Sequence, residues 1–115
     1  MDERLEKAFQ TANFMATLSN LRRVAFEEFR QNLIFYHQGS SFTVTRELIC
    51  FVKTLIDQGI EDSIILDDNN IPSKIQNLSA FLLEIQNIYS KATNEYLARY
   101  VEIKSKRSVE GIISL

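Results

Sequence analysis

A chain of 115 residues has the length of one domain, and 45% apolar with 24% charged residues sets it apart from the charge-rich, aromatic-poor composition of disordered chains. Thirteen Lys and Arg against fifteen Asp and Glu leave a formal charge of −2, too balanced to attract nucleic acid or an anionic membrane by field alone. A single cysteine, Cys50, excludes an intramolecular disulfide and fits a reducing compartment.

The first segment, Asp2 to His37, repeats apolar residues at intervals of three and four: Leu5, Ala8, Ala12, Met15, Leu18, Leu21, Ala25, Phe29, Leu33 and Tyr36. That spacing lays side chains along one stripe and predicts a single helix of roughly 50 Å. Asp2 is its expected N-cap and Gly39 its left-handed stop. Phe9, Phe14, Val24, Phe26, Ile34 and Phe35 fall beside or away from the stripe, so the helix is apolar on more than one face and calls for burial from more than one side. The mixed charges of residues 1–7 are unlike a secretion signal or a membrane span, and the expectation is a cytoplasmic protein.

After Gly39 the period changes. Phe42 and Val44 alternate with Thr43 and Thr45, which predicts a short strand. Thr45 serves as N-cap for a second helix, Arg46 to Gln58, with Leu48, Ile49, Val52, Leu55 and Ile56 on one face and Gly59 at its end. Ser63 to Leu66 and Ile71 to Ile75 flank Asp67, Asp68, Asn69 and Asn70, residues that bond to their own main chain and tolerate left-handed backbone; they predict a β-hairpin, with Pro72 at an edge or at the margin of the turn. With the earlier strand this gives up to three strands.

The last helix is expected from an N-cap at Asn77 to about Arg107, through Leu78, Phe81, Ile85, Ile88, Ala92, Tyr96, Tyr100 and Ile103. Lys104, Lys106 and Arg107 would then complement the negative end of its dipole. Ile112, Ile113 and Leu115 form an aliphatic tail that needs a docking place. The fold class read from this order is α+β and helix-dominated: two long antiparallel helices, one short helix and a small antiparallel β element of a strand plus a hairpin, in one domain spanning residues 1–115.

Chemistry is sparse. The Asp67 to Asn70 run lacks the alternating carboxylates, glycine and distal glutamate of a calcium loop, and reads as a turn. His37 is the only histidine and has neither a nucleophile nor a co-ligand beside it in sequence; it reads as a residue of the helix's last turn. Cys50 sits in the apolar run Leu48-Ile49-Cys50-Phe51-Val52 and reads as a core thiol. Glu27, Glu28, Glu84 and Glu95 read as solvated surface. No catalytic residue, metal site or cofactor is expected.

The stretches Asn13 to Arg23, Ser41 to Ile49, Asp67 to Pro72 and Ile103 to Arg107 resemble parts of a family of small uncharacterised proteins from large contractile-tailed phages of marine cyanobacteria and their relatives. The resemblance implies a phage origin, in the host cytoplasm or the virion. That family has no assigned activity, so it transfers no functional residue.

The functional expectation is a non-enzymatic interaction or assembly protein, in its simplest form a homodimer, with Phe14, Phe26, Phe35, Ile112, Ile113 and Leu115 as candidate interface residues. The alternative is a small regulator that binds nucleic acid or a polymerase through Arg22, Arg23, Lys104, Lys106 and Arg107, which requires those residues to form one basic face.

Overall fold

The structure, a computed structural model, describes residues 2–114 of the chain, with side-chain surroundings for residues 2–106. Among the described residues it is helix-dominated α+β, with three helices and two antiparallel strand pairs.

Helix α1 runs Glu3–Asn32. Asp2 caps it as its short carboxylate predicts: Oδ1 accepts from the Arg4 N–H at 3.2 Å and the carbonyl accepts from Glu6. The helix stops five residues before His37. Its last turn tightens, the Leu33 N–H donating to the Arg30 carbonyl, and the chain becomes β1, Ile34–His37, paired antiparallel with β2, Ser40–Thr43. Gln38 and Gly39 between them have φ of 50° and 82°, the two left-handed residues of a tight hairpin turn with the strand's own twist. Gly39 is thus a hairpin residue and not a helix stop. His37 is a strand residue and not part of a helix end.

The expectation failed here because Leu33 and Tyr36 continue the three-four spacing while Ile34-Phe35-Tyr36 is equally a β-branched and aromatic run. Tertiary contacts decide between the two. Phe35 and His37, two apart and on one side of the strand, both meet the Phe81 ring, at 5.8 and 5.5 Å, while Tyr36 between them is exposed. Phe42 on β2 meets the same ring edge-on at 5.5 Å.

Helix α2 runs Arg46–Asp57, capped by Thr45, whose hydroxyl accepts from the Leu48 N–H at 3.1 Å. At its other end Gly59, with φ of 80°, donates to the Ile56 carbonyl and Ile60 donates to Leu55, the paired bonds of a glycine-terminated helix. Val52 is buried, and Leu48, Ile49, Leu55 and Ile56 flank it half-buried. Cys50 and Phe51 turn outward and are exposed, which corrects the reading of Cys50 as a core thiol: an apolar run on a helix must wrap around it and cannot all face inward.

Strands β3, Ser63–Leu66, and β4, Pro72–Ile75, form the expected hairpin. Pro72 pairs with Leu66 at the turn end, where its missing N–H costs least. The Asx loop is held by Asp67, whose Oδ1 accepts from both the Asn69 and Ile71 amides at 2.9 Å, and Asn70 takes a left-handed φ of 61°. The β content is two separate two-stranded pairs and not a strand plus a hairpin. Asp68 joins them. Its N–H donates to the Ser41 carbonyl, while its carboxylate accepts from the Thr43 N–H at 2.9 Å and the Thr43 hydroxyl at 2.8 Å.

Helix α3 runs Leu78–Ser114, started by Asn77, whose Oδ1 accepts from the Ala80 N–H at 3.0 Å. It passes Arg107 by two turns, so Lys104, Lys106 and Arg107 are not in its last turn and the helix dipole does not explain them. Gly111 inside it costs about 1 kcal/mol, too little to end a helix already propagating through Val109, Glu110, Ile112 and Ile113.

The chain divides into two compact units, one of residues up to Phe29 with those from Asn94 onward, the other Arg30–Thr93. In the second, Phe42, Val44, Val52, Ile65, Ile75, Leu78, Phe81 and Ile85 are buried, so both hairpins, α2 and the first turns of α3 contribute to one core. In the first, α1 and α3 lie antiparallel: Phe29 stacks on Tyr96 with centroids 4.9 Å apart, Glu28 meets Arg99 at 3.7 Å, and earlier in α1 Leu18 and Ala25 are buried with Ile103.

Candidate interaction surface

Unit one is built from two helix stretches, and seven-residue spacing shows how each uses its sides. Leu18 and Ala25 are seven apart, as are Phe14 and Leu21 and, on α3, Tyr96 and Ile103; these six make the small core of the pair. The apolar stripe of α1 does not stay in this seam. Its steps Met15-Leu18-Leu21 are three and three where the pattern needs three and four, and at that point it crosses to a neighbouring line.

The neighbouring line is Leu5, Ala8, Ala12, Met15, Ser19, Arg22, Phe26 and Phe29, spaced three and four throughout. Met15, Arg22 and Phe26 each follow a core-seam residue by one position, about 100° further round the helix. On α3, Leu97 follows Tyr96 and Lys104 follows Ile103 in the same way, and Tyr100 lies on their line, three beyond Leu97 and four before Lys104. When two helices run antiparallel and face each other, equal rotations from the contact line carry both to the same side of the pair. The aromatic rings agree, since Phe26 and Tyr100 both touch Tyr96, at 6.0 and 6.4 Å.

That side carries large uncovered apolar residues, interrupted by Ser19, Arg22 and Lys104. Met15 is 46% exposed, Phe26 45%, Leu97 61% and Tyr100 49%, with Leu5 exposed on the first turn. The other margin is ionic: Arg99 lies between Glu28 and Glu102, each at 3.7 Å. Phe9 and Val101 are exposed too, but they project away from the partner helix, on the back of α1 and of α3.

The six expected interface residues are distributed differently. Phe26 is on the exposed apolar side. Phe14 is half-buried against Leu18, Ala25 and Ile103, and Phe35 is half-buried in unit two beside Phe81. Ile112, Ile113 and Leu115 lie outside the residues whose side chains are described. The sequence reading passed over Met15, Leu97 and Tyr100; the three-three step at Met15-Leu18-Leu21 was the signal that Met15 leaves the stripe.

The basic residues do not gather on one face. Arg22 and Lys104 lie on the apolar side; Lys106, two positions from Lys104, is about 200° round α3; Arg23 donates to Asn20 Oδ1 at 2.8 Å; and the Arg107 side chain is outside the described set. Among the described residues no group of three or more His, Cys, Asp or Glu side chains is placed to hold one metal ion, and Asp67 and Asp68 use their carboxylates on main-chain and threonine donors. His37 is packed among rings. An open groove of about 510 Å³ lies beside Ile56, Gly59, Ile60, Glu61, Asn77 and Ser79, but the amides of Leu78, Ala80 and Phe81 at this helix start are already taken by the Glu61 carbonyl, Asn77 Oδ1 and the Asn77 carbonyl. Among the described residues no helix is long and apolar enough to cross a membrane.

The sequence matches no protein-family model, no curated protein and no solved structure at a significant level.

Proposed function

We propose that this chain is a non-enzymatic interaction or assembly protein that self-associates through its long amphipathic helices. The observation that supports this reading is the set of large apolar side chains exposed on the same side of both helices of unit one. Large exposed side chains at Met15, Phe26, Leu97 and Tyr100 share that side, with Arg22 and Lys104 among them, and a concentration of large apolar groups on one side is of the sort that marks a protein contact. The resemblance to phage proteins adds that the chain is phage-encoded and acts in the host cytoplasm or the virion.

Hydrogen exchange at two protein concentrations a hundredfold apart tests the reading. Protection that rises with concentration along residues 2–29 and 94–106, and stays constant over 30–93, is the expected result. Protection independent of concentration everywhere would remove the self-association reading.

A further inference from the structure

We infer that Asp68 closes the outer edge of β2 by standing in for one residue of a third strand, and that without its carboxylate this edge takes up another extended chain. The inference lies wholly within unit two and is independent of the self-association reading.

It starts from the groups of β2 that point away from β1. The Val44 N–H donates to the Leu33 carbonyl, and bonded residues alternate along an antiparallel ladder. Phe42, paired with Phe35, therefore also bonds inward, while Ser41 and Thr43 direct their N–H and C=O groups outward. Such a row is a template for a further strand. A parallel neighbour would meet it in a fixed pattern: its residue opposite Phe42 donates an N–H to the Ser41 carbonyl and accepts from the Thr43 N–H with its own carbonyl. Asp68 makes both bonds. Its N–H donates to the Ser41 carbonyl at 2.9 Å, and its Oδ1, in place of a peptide carbonyl, accepts from the Thr43 N–H at 2.9 Å. The other oxygen accepts from the Thr43 hydroxyl at 2.8 Å, so the carboxylate is held at both ends.

Position comes from the preceding residue. Asp67 is buried and ties the Asn69 and Ile71 amides into the β3–β4 turn, so Asp68 is presented to β2 by a loop that is already ordered. A strand has to lie about 5 Å from β2 to bond to it, and the Asp68 main chain occupies that place. The closure goes no further: among the described residues the Ser41 N–H and the Thr43 carbonyl take no partner. One carboxylate therefore decides whether the edge is shut, and Thr43 and Asp68 are both exposed, so an incoming chain reaches the edge from solvent once it opens.

The test is amide hydrogen exchange, read residue by residue, of the full chain and its Asp68→Ala, Asp68→Asn and Thr43→Val variants at two concentrations a hundredfold apart. At the lower one, Asp68→Ala lowers the protection of the Thr43 amide about ten- to a hundredfold, while the Phe42 and Val44 amides, bonded to β1, keep theirs. Asp68→Asn retains an acceptor at Oδ1 and Thr43→Val retains the main-chain bonds, so both stay within about threefold of the parent. At the higher concentration Ser41 and Thr43 of Asp68→Ala regain protection on the order of tenfold, as the opened edge pairs with a second copy, and the parent does not change there. Unchanged Thr43 protection in Asp68→Ala would show that the carboxylate does not close the edge. Low protection at both concentrations would show that the contact joins the hairpins and holds off no strand. Both readouts fall on residues 41–43, so a helix pair that fails to self-associate leaves this inference standing, and the reverse holds too.

Discussion

Replacing Asp67 by Ala removes the one buried polar side chain among the described residues, 7% exposed and central to the β3–β4 turn. Its Oδ1 accepts from the Asn69 and Ile71 amides, both at 2.9 Å, while its own N–H donates to the Ile71 carbonyl and its carbonyl accepts from Asn70. The main-chain pair survives the substitution; the two amide-to-carboxylate bonds do not. Bonds to a charged acceptor contribute about 1.5–3 kcal/mol each, and Asn69 is exposed enough for water to take over one of them. The expected loss is therefore about 2–3 kcal/mol. Asp67→Asn keeps an oxygen in place and forfeits only the charge, so about 1 kcal/mol is expected. Urea unfolding followed by circular dichroism reads both, at unchanged slope. An Ala variant within 0.5 kcal/mol of the parent, or an Asn variant as damaged as the Ala one, would refute the account of this turn.

Three further outcomes can be tested. Thr43 and Asp68, 25 residues apart, should show a coupling of about 1 kcal/mol in a double-mutant cycle of Thr43→Val and Asp68→Ala, measured by urea unfolding; additive losses would mean that the two hairpins are joined in some other way. Gly39→Ala should cost about 1–2 kcal/mol from backbone alone, because nothing lies within 4 Å of the added methyl, whereas Gln38→Asn should be neutral or stabilising in the same assay. Ending the chain after Arg107 removes Ile112, Ile113 and Leu115; a dimer weakened about tenfold by sedimentation equilibrium would make them anchors, and an unchanged one would exclude them.

What could be read from the sequence was what residues encode locally. Asp2, Thr45 and Asn77 cap helices because a short polar side chain reaches the amides of the following turn, and Gly59 ends α2 because it alone takes the left-handed φ at no cost. The Asx loop was legible for the same reason. The β1–β2 hairpin was not: Gln38 at a positive φ carries no compositional flag, and Leu33 to Tyr36 fit both periods until the Phe81 ring is in place. Nor could the bonds from Asp68 to Thr43 be seen, since nothing in either residue names a partner 25 positions away. The candidate surface was half-visible. Excess apolar residues on α1 were plain, but assigning Met15 to one line and Leu18 to another needed the contact with Ile103, and placing Leu97 and Tyr100 on the matching side needed the antiparallel pairing.

The central claim is that this chain associates with itself through the helix pair. Its most direct test is the molar mass at sedimentation equilibrium of the unmodified protein from sub-micromolar to high micromolar concentration. A mass rising from 13.3 kDa to a plateau at twice that value is the predicted result. A constant 13.3 kDa across the whole range would contradict it and assign the exposed Met15, Phe26, Leu97 and Tyr100 to a different partner.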